Sequence, residues 1–286
     1  ALRLEEDNIF NFKKFFIDRF SRIYAGLAPA ILICIIIDNI NSSISSTNTL
    51  LFDINLLSVQ ATIASMLNLG GLPNPINLGE IIQPVGSMRP LWSVALEWWI
   101  YVFVGISFFV VKKVKKIAFI FIFISIVLII AQLLINNYNI SFFIVSAWLI
   151  SSALILLNKK LPYSKIFLVT SLSTFIILIG KAEVVHFYEP INMFLFIIIY
   201  FSLLESGKKI SINTYFTKFS NSLSKFSYSL YLLHYTLIVF LKPFLKMSDN
   251  SEIIIIFLIC NISAYIFYYV FERQFIKIRN FLNTAL

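Results

Sequence analysis

Glu97 is an acid in an apolar setting. It lies within RPLWSVALEWWIY, Arg89 to Tyr101, which opens a hydrophobic stretch running on to Val111. Ser93, Glu97 and Tyr101 stand at i, i+4 and i+8, so they share one helix face. A carboxylate in the middle of a lipid-spanning helix costs roughly 2.5–3.5 kcal/mol on insertion scales. That cost predicts that Glu97 faces other protein or a wet cavity. There it either takes part in a reaction or orders the bundle through an interhelical hydrogen bond. His234 is the second candidate. Ser227, Tyr231 and His234 stand at i, i+4 and i+7, again on one face. An imidazole near its ordinary pKa of about 6.5 exchanges protons at neutral pH; the alternative is a hydrogen-bonded packing residue.

Arg19 and Arg22 form an i, i+3 pair. They are either anchors at the inner membrane surface or a fork for phosphate groups. Trp92, Trp98 and Trp99 fit an outer aromatic belt as well as a binding surface. His186, in GKAEVVHFYEP, reads as an outer-loop residue. With only two histidines, few catalytic arrangements are open. No G-x-S-x-G elbow, phosphate loop, H-E-x-x-H or dinucleotide fingerprint occurs. Cys34 and Cys260 lie in apolar segments, at a spacing that matches no metal or disulfide motif, and no metal site is expected.

The elements that position these residues follow from composition. Of 286 residues, 59% are hydrophobic and only 13% charged, against about 25% charged in a soluble domain. The fold class is all-α, a polytopic membrane helix bundle. The net charge of +9 sits mostly between apolar runs, where it sets topology and does not imply nucleic-acid binding. Eight spans are expected: 23–40, 91–111, 117–135, 140–157, 166–180, 191–204, 226–245 and 253–271. This arrangement puts every basic cluster, including Lys112 to Lys116, on one side. Residues 1–22 are basic and carry Phe12, Phe15, Phe16 and Phe20 at helical spacing, which predicts a segment lying along the inner membrane surface. Residues 56–69 are too short to cross, since a span needs about 20 residues; they read as re-entrant or interfacial. Residues 70–90, rich in Gly and Pro, read as an outer loop.

Three separated stretches resemble the acyltransferase 3 family of membrane O-acyltransferases. FNFKKFFIDRFSRIY (10–24) is similar to that family's aromatic and basic run ending in R-x-x-R-I, with Arg19 and Arg22 as the pair. LWSVALEWWIY (91–101) resembles L-W-S-L-x-V-E-E-Q-F-Y: Leu91, Trp92, Ser93, Glu97 and Tyr101 match, while Trp98 stands for the second Glu, Trp99 for the Gln and Ile100 for the Phe. FSYSLYLLHYTL (226–237) resembles I-S-Y-S-L-Y-L-x-H-x-P: Ser227, Tyr228, Ser229, Leu230, Tyr231, Leu232 and His234 match, and Thr236 replaces the Pro.

The resemblance implies transfer of an acyl group, usually acetyl, from acyl-CoA as co-substrate, with no bound cofactor. The acceptor would be a hydroxyl of a cell-envelope saccharide or glycolipid. It implies a multi-pass protein of the bacterial inner membrane with a cytoplasmic C-terminus. Glu97 and His234 would be catalytic. Arg19 and Arg22 would hold CoA phosphates, and Trp92, Ser93, Tyr101, Ser227, Tyr228 and Tyr231 would line the substrate path, with Glu97 in its outer half and His234 in its inner half. The family has ten spans, and its first carries Arg and, eleven positions on, a key His. The positions eleven before His186 and His234 are Phe175 and Leu223. The chain therefore reads as a single domain, 1–286, that begins within the first inner loop and lacks the two opening helices. The rival readings are a transporter or flippase of a saccharide or lipid-linked intermediate, using the same buried polar residues without covalent chemistry, and an inactive truncated remnant.

Overall fold

The computed structural model describes residues 11–44, 54–72, 82–111, 113–135, 140–157, 199, 214–245 and 250–285. The regular elements among them are all helical: α1 Phe12–Ile44, α2 Val59–Met66, α3 Leu91–Val111, α4 Val114–Ile135, α5 Ile140–Leu156, α6 Thr214–Leu241, α7 Asn250–Val270 and α8 Phe275–Ala285, with 3-10 turns at Ile54–Leu57, Lys242–Phe244 and Glu272–Gln274. Four stretches are long and apolar enough to cross a membrane: Phe12–Ile44, Leu91–Val111, Val114–Ala131 and Glu252–Ala285. They contain the expected spans 23–40, 91–111, 117–131 of the third, and 253–271. The apolar helix within the expected span 140–157 is shorter, Ile144–Leu154. The expected spans 166–180 and 191–204 fall almost wholly outside the described residues, as does His186. The protein is thus a multi-pass helical membrane protein.

The chain divides into two compact units, Asn11–Gly105 with Thr214–Leu286, and Ala1–Phe10 with Ile106–Asn213. In the second of these, α4 packs against α5. Ile117, Phe121, Leu149 and Ala153 are fully buried there, and the buried Ser125 hydroxyl donates to the carbonyls of Phe121 (2.7 Å) and Ser146 (3.3 Å).

The first unit carries the motif residues. Its α1 starts at a side-chain cap, Lys14 N–H donating to Asn11 Oδ1 at 3.0 Å. It then runs without interruption past Pro29 to Ile44, about 50 Å at 1.5 Å per residue. The described part of the basic segment is therefore continuous with the first span and is not a separate surface helix. The reason is a ladder of rings. Phe12, Phe16, Phe20 and Tyr24 stack in steps of 6.1, 6.2 and 4.4 Å, and Trp98 of α3 meets the last three edge-on at 5.3, 6.1 and 5.5 Å. Rings that pack on a neighbouring helix need no lipid surface. Gly105 lets the chains close: a Cβ there would lie 3.0 Å from Phe15 and 3.1 Å from Phe12.

The eight-residue α2 spans about 12 Å, too short to cross. The Ser58 hydroxyl caps it, accepting from Ala61 N–H at 3.2 Å. Beyond it Asn68 adopts a left-handed φ of 55°, which Asn tolerates better than most residues. Its carbonyl accepts from Trp99 Nε1 at 2.9 Å, and its amide donates to the Tyr24 hydroxyl at 2.9 Å.

Residues 82–90 differ from the expected outer loop. Val85, Ser87 and Met88 are buried, and the segment is inserted among its neighbours. Val85 N–H donates to Ser65 Oγ (2.9 Å), Gly86 N–H to the Leu56 carbonyl (3.1 Å), and Ser87 N–H to Asp38 Oδ2 (2.7 Å). Buried backbone needs partners; α1, α2 and the 3-10 turn before α2 supply them, which is why this Gly/Pro-rich stretch leaves the surface.

Candidate functional site

The three motif stretches meet in one place within this unit. Tyr228 of α6 donates its hydroxyl to the Ile23 carbonyl of α1 at 3.2 Å. Three residues on, Tyr231 donates to the Pro90 carbonyl at 2.7 Å and is hydrogen-bonded to Ser93 Oγ. Ser93 is also 3.3 Å from the Pro90 carbonyl. The proline carbonyl at the start of α3 thus receives hydroxyls from both α3 and α6. Two aromatic residues four and seven positions past Ser224 can do this because their spacing keeps them on the α6 face that meets α1 and α3. A narrow crevice lined by Met88, Pro90, Leu91, Tyr231 and Leu232 borders the junction.

One turn and two turns further along α3 come Glu97 and Tyr101. Tyr101 donates its hydroxyl to Glu97 Oε1 at 2.5 Å, as the i, i+4 spacing predicts. The Arg19 guanidinium lies over the Tyr101 ring at 4.7 Å from its centroid, and 5.6 Å from that of Phe15, within cation–π range. Arg19, Tyr101 and Glu97 are therefore one cation–ring–carboxylate line across α1 and α3. Glu97 and Arg22 are exposed and Arg19 half-buried. Arg22 is close enough to Tyr101 and Glu272 for its charge to be felt at both.

His234 is half-buried, its ring 5.8 Å from that of Tyr231. Its Nδ1 lies 2.8 Å from the Tyr231 carbonyl and 3.1 Å from that of Leu230. Carbonyl oxygens only accept, so the neutral ring carries its hydrogen on Nδ1 and its basic lone pair on Nε2.

The order of these groups along the bundle reverses the expected one. Glu97 stands one turn from Ser93 on the Arg19 side, whereas His234 stands one turn past Tyr231 on the side of Ser87 and Thr236, whose hydroxyls are joined at 2.9 Å. Since Ser93 and Tyr231 touch, Glu97 and His234 are about 10 Å apart along the axis at 1.5 Å per residue, with Glu97 nearer the arginines. Counting from presumed span ends places α3 too far out, because its start follows a segment that dips into the bundle.

The other expected site residues are placed as follows. Ser227 is exposed and donates to the Ser224 carbonyl of its own helix at 3.0 Å. Trp92 is half-buried and backs onto Gly71, whose φ is 81° and where a Cβ would lie 2.8 Å from Trp92 Cα. Three of the four departures from the family motifs, Trp98, Trp99 and Thr236, find partners from other parts of the chain. Trp98 fills the ring ladder, Trp99 bonds to Asn68, and the Thr236 hydroxyl accepts from Ser87 Oγ.

Two polar clusters escaped the motif reading. Glu272 is only 6% exposed; its Oε2 accepts from the Ser229 hydroxyl at 2.5 Å and from Ser229 N–H at 3.2 Å. Asp38 is fully buried among Cys34, Ser87 and Thr236. The rule that singles out Glu97, an acid within an apolar span, applies equally to Asp38 and would have found it. Among the described residues no three His, Cys, Asp or Glu side chains come together as metal ligands would.

The class is that of multi-pass helical membrane proteins, here with a carboxylate, an imidazole, two joined hydroxyls and a stacked arginine in one unit. The family model described as an acyltransferase domain, that of acyltransferase 3, matches residues 8–273. The chain belongs to the acyltransferase 3 family, and at that level it is a membrane acyltransferase. No curated protein and no solved structure matches it.

Proposed function

We propose that the protein moves an acyl group, acetyl in the first instance, from cytoplasmic acyl-CoA to a hydroxyl of a cell-envelope saccharide or glycolipid at the bacterial inner membrane. The reading rests on the junction of Ser93, Tyr231 and the Pro90 carbonyl. It joins the second and third motif stretches, and with Tyr228 on the Ile23 carbonyl and Arg19 over Tyr101 bringing in the first, one series of polar groups runs from Arg19 to His234. In this reading Arg19 and Arg22 bind the CoA phosphates, Arg through its planar fork. The reaction forms a C–O ester bond, breaks the thioester C–S bond, and passes the acceptor's hydroxyl proton to a base while the CoA thiolate leaves. His234 Nε2 has the lone pair for that proton, and Glu97 a carboxylate whose Oε1 already accepts from Tyr101. The hydroxyls of Ser93 and Tyr231 lie between them; Trp92 and Tyr228 shape the walls of the path. The C-terminus is cytoplasmic on this topology.

The test is transfer of labelled acetyl from acetyl-CoA to envelope glycan by the full-length protein in nanodiscs. Label should appear with the wild type and fall at least about 100-fold with Glu97→Ala and with His234→Ala, the lower end of what one general acid–base group contributes. Movement of saccharide without acylation would establish transport instead.

A further inference from the structure

We infer that Asp38 is a positioning residue, whose carboxylate holds the segment 86–90 so that the Pro90 carbonyl is presented to Tyr231 and Ser93. Asp38 is 0% exposed in a helix whose most apolar 18-residue window has a mean hydropathy of 2.0. Among the described residues its partners are all neutral. Ser87 N–H donates to Oδ2 at 2.7 Å, the Cys34 thiol donates to Oδ2 at 3.1 Å, and Oδ1 is buried with no hydrogen bond. Burying an acid in this way is costly, and the cost is met here by one local arrangement.

That arrangement is a clamp. Gly86 has a φ of 52°, and a Cβ there would collide with Asp38 Oδ2. The residue before Ser87 must therefore be glycine for the backbone to reach the carboxylate. The Ser87 hydroxyl donates to Thr236 Oγ1 at 2.9 Å. Three residues later the Pro90 carbonyl accepts from Tyr231. Thr236 and Tyr231 belong to the same helix, so the segment is fastened to α6 at two points with His234 between them, and to α1 at Asp38. Cys34 Sγ lies 3.6 Å from both the Ser87 and Thr236 hydroxyls and closes the cluster. Thr236 occupies the position where the resembling motif has proline, which has no hydroxyl to offer; the clamp depends on this chain's own residue. Release of Ser87 frees the Pro90 carbonyl to move relative to Tyr231, and with it the hydroxyl pair next to His234.

The kinetic part of this inference rests on the acyl-transfer reading; the clamp itself does not. Two measurements on the full-length protein in nanodiscs separate them. Hydrogen–deuterium exchange of the peptide covering 82–95 should speed up at least tenfold in Asp38→Ala and in Thr236→Val, with exchange in α4 unchanged. Asp38→Asn keeps an acceptor oxygen for Ser87 N–H, and Thr236→Ser keeps the hydroxyl; both should stay within about threefold of wild type. In the acetyl-transfer assay Asp38→Ala and Thr236→Val should lower kcat roughly tenfold, the scale of one neutral hydrogen bond, without changing KM for acetyl-CoA, while the conservative variants restore it. Unchanged exchange in both disruptive variants overturns the clamp. Faster exchange with unchanged kcat in the folded protein reduces Asp38 to a structural residue and overturns the positioning role. If the wild type transfers no acyl group, the proposed function fails while the exchange result still decides the clamp.

Discussion

Restoring the family's glutamate at position 98 should damage this protein. Trp98 is 7% exposed and meets Phe16, Phe20 and Tyr24 edge-on at 5.3–6.1 Å. Truncating a buried aromatic to alanine costs about 3–5 kcal/mol through lost burial and the cavity left behind, and the ring pairs belong to that loss. A carboxylate in the same hole adds roughly 2.5–3.5 kcal/mol of desolvation, so Trp98→Glu stands about 6 kcal/mol or more below wild type. Against a typical folding stability of about 5–15 kcal/mol, Trp98→Ala should melt about 10 °C lower and Trp98→Glu should not accumulate folded. The assay is built into the chain: Cys34 and Cys260 are both free and buried, so a thiol-reactive fluorogenic dye reports unfolding without relying on tryptophan emission. Trp98→Phe should keep most of the stability. A Trp98→Glu protein that melts within a few degrees of wild type would refute the ring-ladder argument.

The remaining predictions concern the site. Tyr231→Phe and Ser93→Ala remove the two hydroxyls that share the Pro90 carbonyl; each should lower kcat/KM for acyl transfer about tenfold, and the double mutant should lose much less than the product of the two, because contacting residues couple. Additive losses would show that the pair does not act as a unit. Arg19→Lys keeps the charge but gives up the planar stack on Tyr101; KM for acyl-CoA should rise several-fold with kcat little changed, and an unchanged KM would remove Arg19 from the donor site.

The sequence by itself determined the class of architecture, since apolar runs of about 20 residues cross lipid as helices. It also determined which faces α3 and α6 present, because i, i+4 spacing places Tyr101 against Glu97 and i, i+3 spacing places Tyr231 beside His234 whatever surrounds them. What it could not decide was which helices meet and at what height. The hydrogen bond from Tyr228 to Ile23 and the one from Tyr231 to Pro90 join residues 205 and 141 positions apart, and no local periodicity encodes such distances. The height of Glu97 relative to His234 depended on residues 82–90 dipping into the bundle, and that depended on Asp38 offering a buried acceptor to Ser87 N–H. Nor could the motifs explain their own exceptions. Trp98, Trp99 and Thr236 look like departures along the chain, yet each is matched by a partner from another part of it, the Phe16–Tyr24 ladder, Asn68 and Ser87. Packing and hydrogen bonding are satisfied in space, so only the tertiary structure determines which substitutions go together.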